Sequence, residues 1–166
     1  MKMDDADLPQ TAVVQFNCAG SAVGKMRNEL AVEMVKPFHE SFELATDEGA
    51  FHGGEATAPP PLALFVAGLT GCLMTQIRAF AKRLGVQLDD LKVETRIQWD
   101  WEKAGRVYET APRSMEVDVL IQSPAPFEDT VELIQAAKKG CFIEQTLGRK
   151  NTIRHRVLRG AEYVEI

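Results

Sequence analysis

The feature that most constrains the fold is a long apolar helix between a run of prolines and a glycine. The prolines Pro59–Pro61 let a helix begin but not pass through them, and Gly85 suits a helix end. The predicted helix therefore runs from Leu62 to about Leu84. Its first half is apolar on every side, which is typical of a helix buried all round instead of one lying on a surface.

Alternating apolar and polar residues predict strands on both sides of this helix. Before it, antiparallel strands are predicted over residues 11–16, 26–34 and 41–45, with a turn over Cys18–Gly24. After it, the predicted elements are strands at 89–101 and 114–122, helices at 127–139 and 141–147, and a last strand at 151–158. The order is β-β-β-α-β-β-α-α-β, which indicates an α+β fold with antiparallel neighbours.

Composition is typical of a packed globular domain. The 166 residues are 45% hydrophobic and 26% charged, so we predict a single domain over residues 1–166 with a loose segment over residues 1–10. The net charge of -5 argues against nucleic acid and anionic membrane surfaces as partners. The acidic start of the chain lacks the pattern of a signal peptide, and the apolar run 62–74 is too short for a bilayer.

The three cysteines are the leading candidates for chemistry. Without a secretory signal they predict a reducing, cytoplasmic location, where cysteines are free thiols, metal ligands or redox groups. Cys72 lies in the middle of the apolar helix, one turn after Gly68 and beside Gly71. A helical glycine costs about 1 kcal/mol relative to alanine, which indicates a close approach of backbone or substrate at this turn. A small buried hydrophobe is the alternative interpretation of Cys72.

Cys141 is the second candidate. It follows two lysines, Lys138 and Lys139, whose positive charge is expected to favour the reactive thiolate. The apolar stripe of the preceding helix comprises Val131, Ile134 and Ala137. Extending this stripe reaches Cys141, so Cys141 is expected to face the core, where the helix carrying Cys72 lies. The alternative is that Cys141 too is only a core residue, and Cys18, in a predicted turn, has no partner.

Other patterns of chemistry are weak in the sequence. The histidines, His39, His52 and His155, lack the spacing of metal ligands, so no metal site is predicted. Only His52, in the loop before the apolar helix, is a candidate for a place near Cys72. There is no nucleophile-elbow motif and no glycine-rich loop in a phosphate-binding pattern.

Two segments together resemble the OsmC/Ohr family. Residues 47–73, DEGAFHGGEATAPPPLALFVAGLTGCL, are similar to an acidic pair and diglycine loop that lead through a proline into a buried, cysteine-bearing helix. Residues 136–147, AAKKGCFIEQTL, are similar to the segment with the family's second cysteine. The resemblance extends over nearly the whole chain from about residue 13.

The resemblance implies an OsmC-like fold, in which an antiparallel sheet wraps around a long buried central helix and two copies form an intertwined homodimer. It also implies a thiol peroxidase that reduces organic hydroperoxides. Cys72 would become a sulfenic acid and Cys141 would resolve it to a disulfide. An external dithiol would then reduce the disulfide. No metal, flavin or haem is implied.

The chain departs from the family's peroxidase pattern in three ways. Leu62 stands where the peroxidases carry a glutamate that holds an arginine over the thiolate, and Phe142 replaces the proline after the second cysteine. The arginine itself has no clear counterpart, since Arg27 and Lys25 both lie in roughly the right segment. A thiolate without this support is expected to react more slowly. The alternative function is a non-enzymatic OsmC-like protein that binds an apolar small molecule or senses redox state.

Overall fold

The computed structural model describes residues 10–166. The segment predicted to be loose, residues 1–10, therefore lies outside the described residues except for residue 10. Within the described range the strands are β1 (Gln15–Val23), β2 (Arg27–Lys36), β3 (Glu40–Thr46), β4 (Asp90–Ala104), β5 (Val107–Gln122), β6 (Arg156–Arg159) and β7 (Glu162–Glu165). The α-helices are α1 (Pro61–Leu84), α2 (Phe127–Gly140) and α3 (Phe142–Leu147). The α+β class is thus confirmed.

The chain divides into two compact units, residues 1–65 and residues 66–166. Helix α1 begins in the first unit and continues into the second. The single domain over residues 1–166 stays a prediction beside this division. In the part that the structure describes, the strands form three separate antiparallel sheets, in the orders β1-β2-β3, β4-β5 and β6-β7.

In the first unit, the predicted turn over Cys18–Gly24 is wrong, because β1 continues through it to Val23. Small residues fill this part of the strand, and they pair with β2 along its whole length. At Gly20, an added Cβ would lie 3.1 Å from Cδ2 of Leu30, the residue paired with it. The turn is confined to the residues around Gly24, whose φ of +68° favours glycine.

The loop after β3 is organised by the buried carboxylate of Asp47, which is 2% exposed. Its Oδ1 accepts a hydrogen bond from the backbone N–H of Glu48 at 2.8 Å. Its Oδ2 accepts from the backbone N–H of Thr57 at 2.9 Å and from the Thr57 hydroxyl at 2.7 Å. Asp47 therefore closes the nine-residue segment between itself and Thr57, which contains a short 3-10 helix, Ala50–His52.

The closure of this loop is expected to fail in acid. Hydrogen bonds from the Thr57 backbone and hydroxyl lower the pKa of Asp47 below 3.8, its ordinary value. A depressed carboxyl pKa contributes stability that is present above the unfolded pKa and lost as the pH falls through the folded one. The free energy of unfolding should therefore fall more steeply in the parent than in Asp47→Asn between about pH 5 and pH 3. Denaturant unfolding at each pH measures this.

The neighbouring variant Glu48→Gln is the control for this prediction, because the hydrogen bonds that close the loop end on Asp47. In Glu48→Gln, the free energy of unfolding should fall with decreasing pH as steeply as it does in the parent. If the free energy of unfolding fell equally steeply in Asp47→Asn and in the parent, ionisation of Asp47 would not be the cause of the acid sensitivity.

In the second unit, β4 and β5 form one long hairpin, which pairs from Asp90 with Gln122 to Ala104 with Val107. The turn uses Gly105 at a φ of +64°. The inward residues of this hairpin that pack against the core are Leu91, Val93, Ile97, Val119 and Ile121. The buried core itself consists of Leu69, Leu73, Ile77, Ala81, Leu133, Ala137 and Cys141. The core thus lies where α1, the end of α2 and the inner face of the hairpin meet.

In a single copy of the chain, helix α1 is buried along one face, and the predicted burial on every side is not reached. The buried residues recur every four positions, at Leu69, Leu73, Ile77 and Ala81. On another face, Ala67, Gly71 and Thr75 are exposed. The reason is that an apolar pattern reports which faces are able to be buried, whereas burial also needs a covering element on each face.

Helix α1 is also long and apolar enough to span a membrane by length and composition alone, with a mean hydropathy of 1.5. The sequence prediction considered only residues 62–74, whereas the helix has 24 residues. This finding is weak evidence, because the core helix of a soluble protein passes the same test. The inward stripe of α1 lies in the protein core together with residues of α2.

The end of the chain differs from the single last strand predicted at 151–158. Two short strands, β6 and β7, form a hairpin there. Gly160, at a φ of +66°, makes the turn between them. The prediction did not include β7, because the predicted strand ends at Leu158 and the chain reverses at Gly160 before β7 begins.

Candidate thiol site

Cys72 and Cys141 meet in the core of the second unit. Cys72 is half-buried on α1, and Cys141 is fully buried at the junction of α2 and α3. Both are free thiols. Cys72 packs against the buried core cluster that contains Cys141, and it is close enough to raise the pKa of Cys141. The prediction that Cys141 faces the core is confirmed. The structure therefore brings together two cysteines that are 69 positions apart in the sequence.

The local sequence explains how the two helices approach each other. The buried residues at the end of α2 are Leu133, Ala137 and Cys141, each four positions after the last. An added Cβ at Gly140 would lie 2.6 Å from Cζ of Phe80 on α1, so only glycine allows this approach. On α1, an added Cβ at Gly68 would lie 3.4 Å from Cδ1 of Ile143, so α3 rests on α1 one turn before Cys72. Gly71, by contrast, faces open space.

Burial sets the protonation of Cys141. Burial is the largest of the causes that raise the pKa of Cys141 from 9.0 to about 11, and the neighbouring Cys72 contributes to the same rise. Backbone N–H groups of Glu144 and Ile143 act in the opposite direction. The expected thiolate at Cys141 is therefore wrong, because desolvation outweighs the nearby lysines. Cys141 keeps its proton at neutral pH and can donate it to Cys72.

Cys141 also caps α3. Its Sγ accepts a hydrogen bond from the backbone N–H of Glu144 at 3.5 Å, and its carbonyl accepts from Gln145 at 2.9 Å. The side-chain amide of Gln145 donates to the carbonyl of Lys138 at 3.0 Å, which ties α3 back to α2. These contacts orient the Cys141 sulfur. The sequence offered no signal for the cap, because cysteine is not among the preferred N-cap residues.

A cavity of about 350 Å³ lies in the same unit. Its apolar lining includes Leu73, Met115, Val117 and Ile134, and its polar lining includes Lys138 and Glu144. Neither cysteine is among its lining residues, but Glu144, which is, donates its N–H to the Cys141 sulfur. Volume and lining both suit a small, mainly apolar ligand.

The candidate cations lie in the first unit. Arg27 donates through Nε to Glu29 at 2.7 Å and through Nη1 to the hydroxyl of Thr57 at 2.9 Å. Lys25 forms an exposed ion pair with Glu55 at 3.2 Å. The hydrogen bonds of Arg27 to Glu29 and Thr57 have no local signal in the sequence, because the contact with Thr57 depends on how the loop after β3 closes. A role for either cation toward Cys72 stays a prediction.

The remaining candidates, Cys18 and His52, lie in the first unit. Cys18 lies on the exposed strand β1, and its sulfur contacts the carbonyl of Ala19 at 4.0 Å. His52 ends the short 3-10 helix and packs edge-on against Phe51 at 4.8 Å between ring centroids. Among residues 10–166, no group of three histidine, cysteine or acidic side chains is placed to hold a metal ion.

Fold and site together define a class: an α+β protein whose central helix carries one of two thiols that pack in the same core. The family model described as OsmC-like protein matches residues 53–156. The chain therefore belongs to the OsmC family. The resemblance of the cysteine-bearing segments is thereby confirmed.

Solved structures agree with this assignment. An OsmC-like hydroperoxide resistance protein from Jannaschia sp. CCS1 is 64% identical, with a TM-score of 0.65 over 92% of this chain and 98% of that one. An organic hydroperoxide resistance protein OsmC from Legionella pneumophila is 18% identical, with a TM-score of 0.57 over 82% and 91% of the two chains. One from Elizabethkingia anophelis is 14% identical, with a TM-score of 0.54 over 83% and 90%. The last two show the shared fold alone. None of the curated proteins compared with the chain matches it.

Proposed function

We propose that this protein is a thiol peroxidase that reduces organic hydroperoxides. The observation that carries the proposal is that Cys72 packs against the core cluster containing Cys141, and that of these two thiols only Cys72 is partly accessible. The Jannaschia relative, a hydroperoxide resistance protein, supports the same chemistry. One thiol open to a substrate and one held behind it is the arrangement that a two-cysteine peroxidase needs.

In the first step, the Cys72 thiolate attacks the distal oxygen of the hydroperoxide. The O–O bond breaks, the alkoxide takes up a proton to leave as an alcohol, and Cys72 becomes a sulfenic acid. Its sulfur loses two electrons and the peroxide gains them. The half-buried position of Cys72 on α1 is open enough for this attack.

In the second step, the Cys141 sulfur attacks the sulfur of the sulfenic acid. The S–S bond forms, the S–O bond breaks, and the departing hydroxide takes the proton of Cys141 to leave as water. The raised pKa of Cys141 means that its thiol still carries the proton that leaves with the hydroxide, so this proton must be transferred as the S–S bond forms. An external dithiol then reduces the disulfide by exchange and is itself oxidised.

The proposal includes a homodimer in the cytoplasm. Apolar residues on the inner faces of the hairpin, Met115 and Val117, are 43% and 37% exposed. Together with the exposed face of α1 at Ala67 and Gly71, they supply apolar surface for a second copy to bury. Free thiols throughout the described residues agree with a reducing compartment.

Stopped-flow mixing of the reduced protein with cumene hydroperoxide tests the proposal. The parent should lose both thiols quickly and form one intramolecular disulfide, which mass spectrometry reports as the loss of two hydrogen atoms. Cys141→Ser should react once with peroxide and stop at a sulfenic acid that dimedone traps. A rate for the parent no faster than that of an ordinary free thiol would contradict the peroxidase assignment.

A second candidate is a non-enzymatic protein that binds an apolar small molecule or senses redox state. The cavity lined by Leu73 and Val117 favours it, as does Leu62 at the position of the peroxidases' glutamate. The same kinetics separate the two candidates. A thiol pair without fast turnover, in a protein that binds an apolar ligand, is the result that this second function predicts.

A further inference from the structure

The sulfur of Cys141 serves two elements at once. It belongs to the core cluster against which Cys72 of α1 packs, and it accepts the N–H of Glu144 as the cap of α3. The second contact, at 3.5 Å, is already near the long end of a hydrogen bond to sulfur. Any change in the position of this sulfur therefore acts on the first turn of α3.

A disulfide would require such a change. The covalent S–S distance is about 2.05 Å, whereas both cysteines are free thiols in the structure. The two sulfurs must therefore approach each other when the bond forms, and the share of this movement made by the Cys141 sulfur acts on its contact with Glu144. Unless α3 follows, the distance to the Glu144 nitrogen lengthens and the cap is lost.

Two contacts hold α3 where it is. Ile143 already reaches the surface of α1 at Gly68, where even an added Cβ would be 3.4 Å from its Cδ1. Gln145 is bound to the carbonyl of Lys138 at the end of α2. Since α3 is only six residues long, little of its own hydrogen bonding replaces a lost cap.

We propose that α3 is a redox-sensitive element, whose first turn loosens when Cys72 and Cys141 form a disulfide. Because Glu144 lies on that turn and lines the cavity, the same step alters the wall of the cavity. Oxidation of Cys72 and Cys141 thus changes the shape of the cavity through α3 itself. The inference rests on the disulfide of the proposed function.

Hydrogen exchange of the α3 amides tests this inference, in protein carrying Cys18→Ser so that no third thiol reacts. The oxidant is diamide, which takes up the two electrons and two protons released by the thiols and is reduced to the hydrazide. Exchange over residues 142–148 should become about three- to tenfold faster in the disulfide form, as expected for the loss of a helix cap. Amides in the middle of α2 should not change.

Two variants that cannot form the disulfide are the controls. Cys141→Ser keeps a capping oxygen, and Cys72→Ser keeps the capping sulfur, so diamide should leave α3 exchange unchanged in both. Unchanged exchange in the parent, after mass spectrometry has verified the disulfide, would overturn the inference. Failure of diamide to form a disulfide at all would overturn it as well.

A pair of proline variants tests the cap without any oxidation. Glu144→Pro removes the N–H that binds the Cys141 sulfur, so the reduced variant should exchange over α3 as fast as the oxidised parent. Phe142→Pro is the matched control: it places proline in the same first turn, where Cys141 at φ -75° and ψ 109° accommodates it, and it keeps the Glu144 N–H. Equal exchange in the two reduced variants would count against the cap.

Diamide also separates this inference from the proposed function. Loosening of α3 under diamide, in a protein that reacts slowly with cumene hydroperoxide, would support the redox element and contradict the peroxidase. Rapid peroxide turnover with α3 unchanged would support the peroxidase and overturn the redox element.

Discussion

The Cys72→Ser variant is expected to react with an organic hydroperoxide at least about a thousandfold more slowly than the parent, because a nucleophile is removed. The physical reason is that a serine hydroxyl is not ionised near neutral pH, whereas a thiol yields a far more nucleophilic anion. Cys141 cannot replace it, since burial holds its pKa at about 11 and its side chain is fully buried. Stopped-flow consumption of cumene hydroperoxide measures the rates.

The matched control is Cys18→Ser, which removes the exposed thiol on β1. It should keep the rate of the parent. If Cys72→Ser retained more than a tenth of the parental rate while Cys18→Ser lost it, the reacting thiol would be Cys18. The serine change is nearly isosteric, so circular dichroism should show the same fold in both variants.

The Gly54→Ala variant is expected to lower the free energy of unfolding by about 3 kcal/mol or more, at the upper end for an overpacked site. An added Cβ at Gly54 would collide with the carbonyl of Glu48, at 2.5 Å from its carbon atom. It would also lie 2.9 Å from Oδ1 of the buried Asp47. Backbone atoms cannot rotate away as a flexible side chain does, so the whole loop must shift. Denaturant unfolding measures the loss.

Gly49→Ala provides the comparison within the same loop. Nothing lies within 4 Å of an added Cβ there, and its φ of -78° is accessible to alanine. Its free energy of unfolding should therefore change by less than about 1 kcal/mol. Equal destabilisation by the two alanines would contradict the collision at Gly54 as the cause of the effect.

Sequence patterns were most informative where one local signal sufficed. Pro61 and Gly85 predicted the limits of α1 to within one residue, since each acts through its own backbone geometry. The four-residue spacing from Ala137 to Cys141 predicted which way Cys141 faces. The region around Cys18 misled, because small residues are typical of turns and also of strands that a neighbour approaches closely.

What the sequence alone determined is therefore the order of most elements, the apolar central helix and the identity of the two cysteine segments. Each of these follows from neighbours along the chain, such as a proline, a glycine or a repeating apolar position. Only the tertiary structure decided that Cys141 contacts Cys72, keeps its proton and caps α3. Desolvation and hydrogen bonding depend on what surrounds a group in space, and the groups around this sulfur come from helices distant in the sequence.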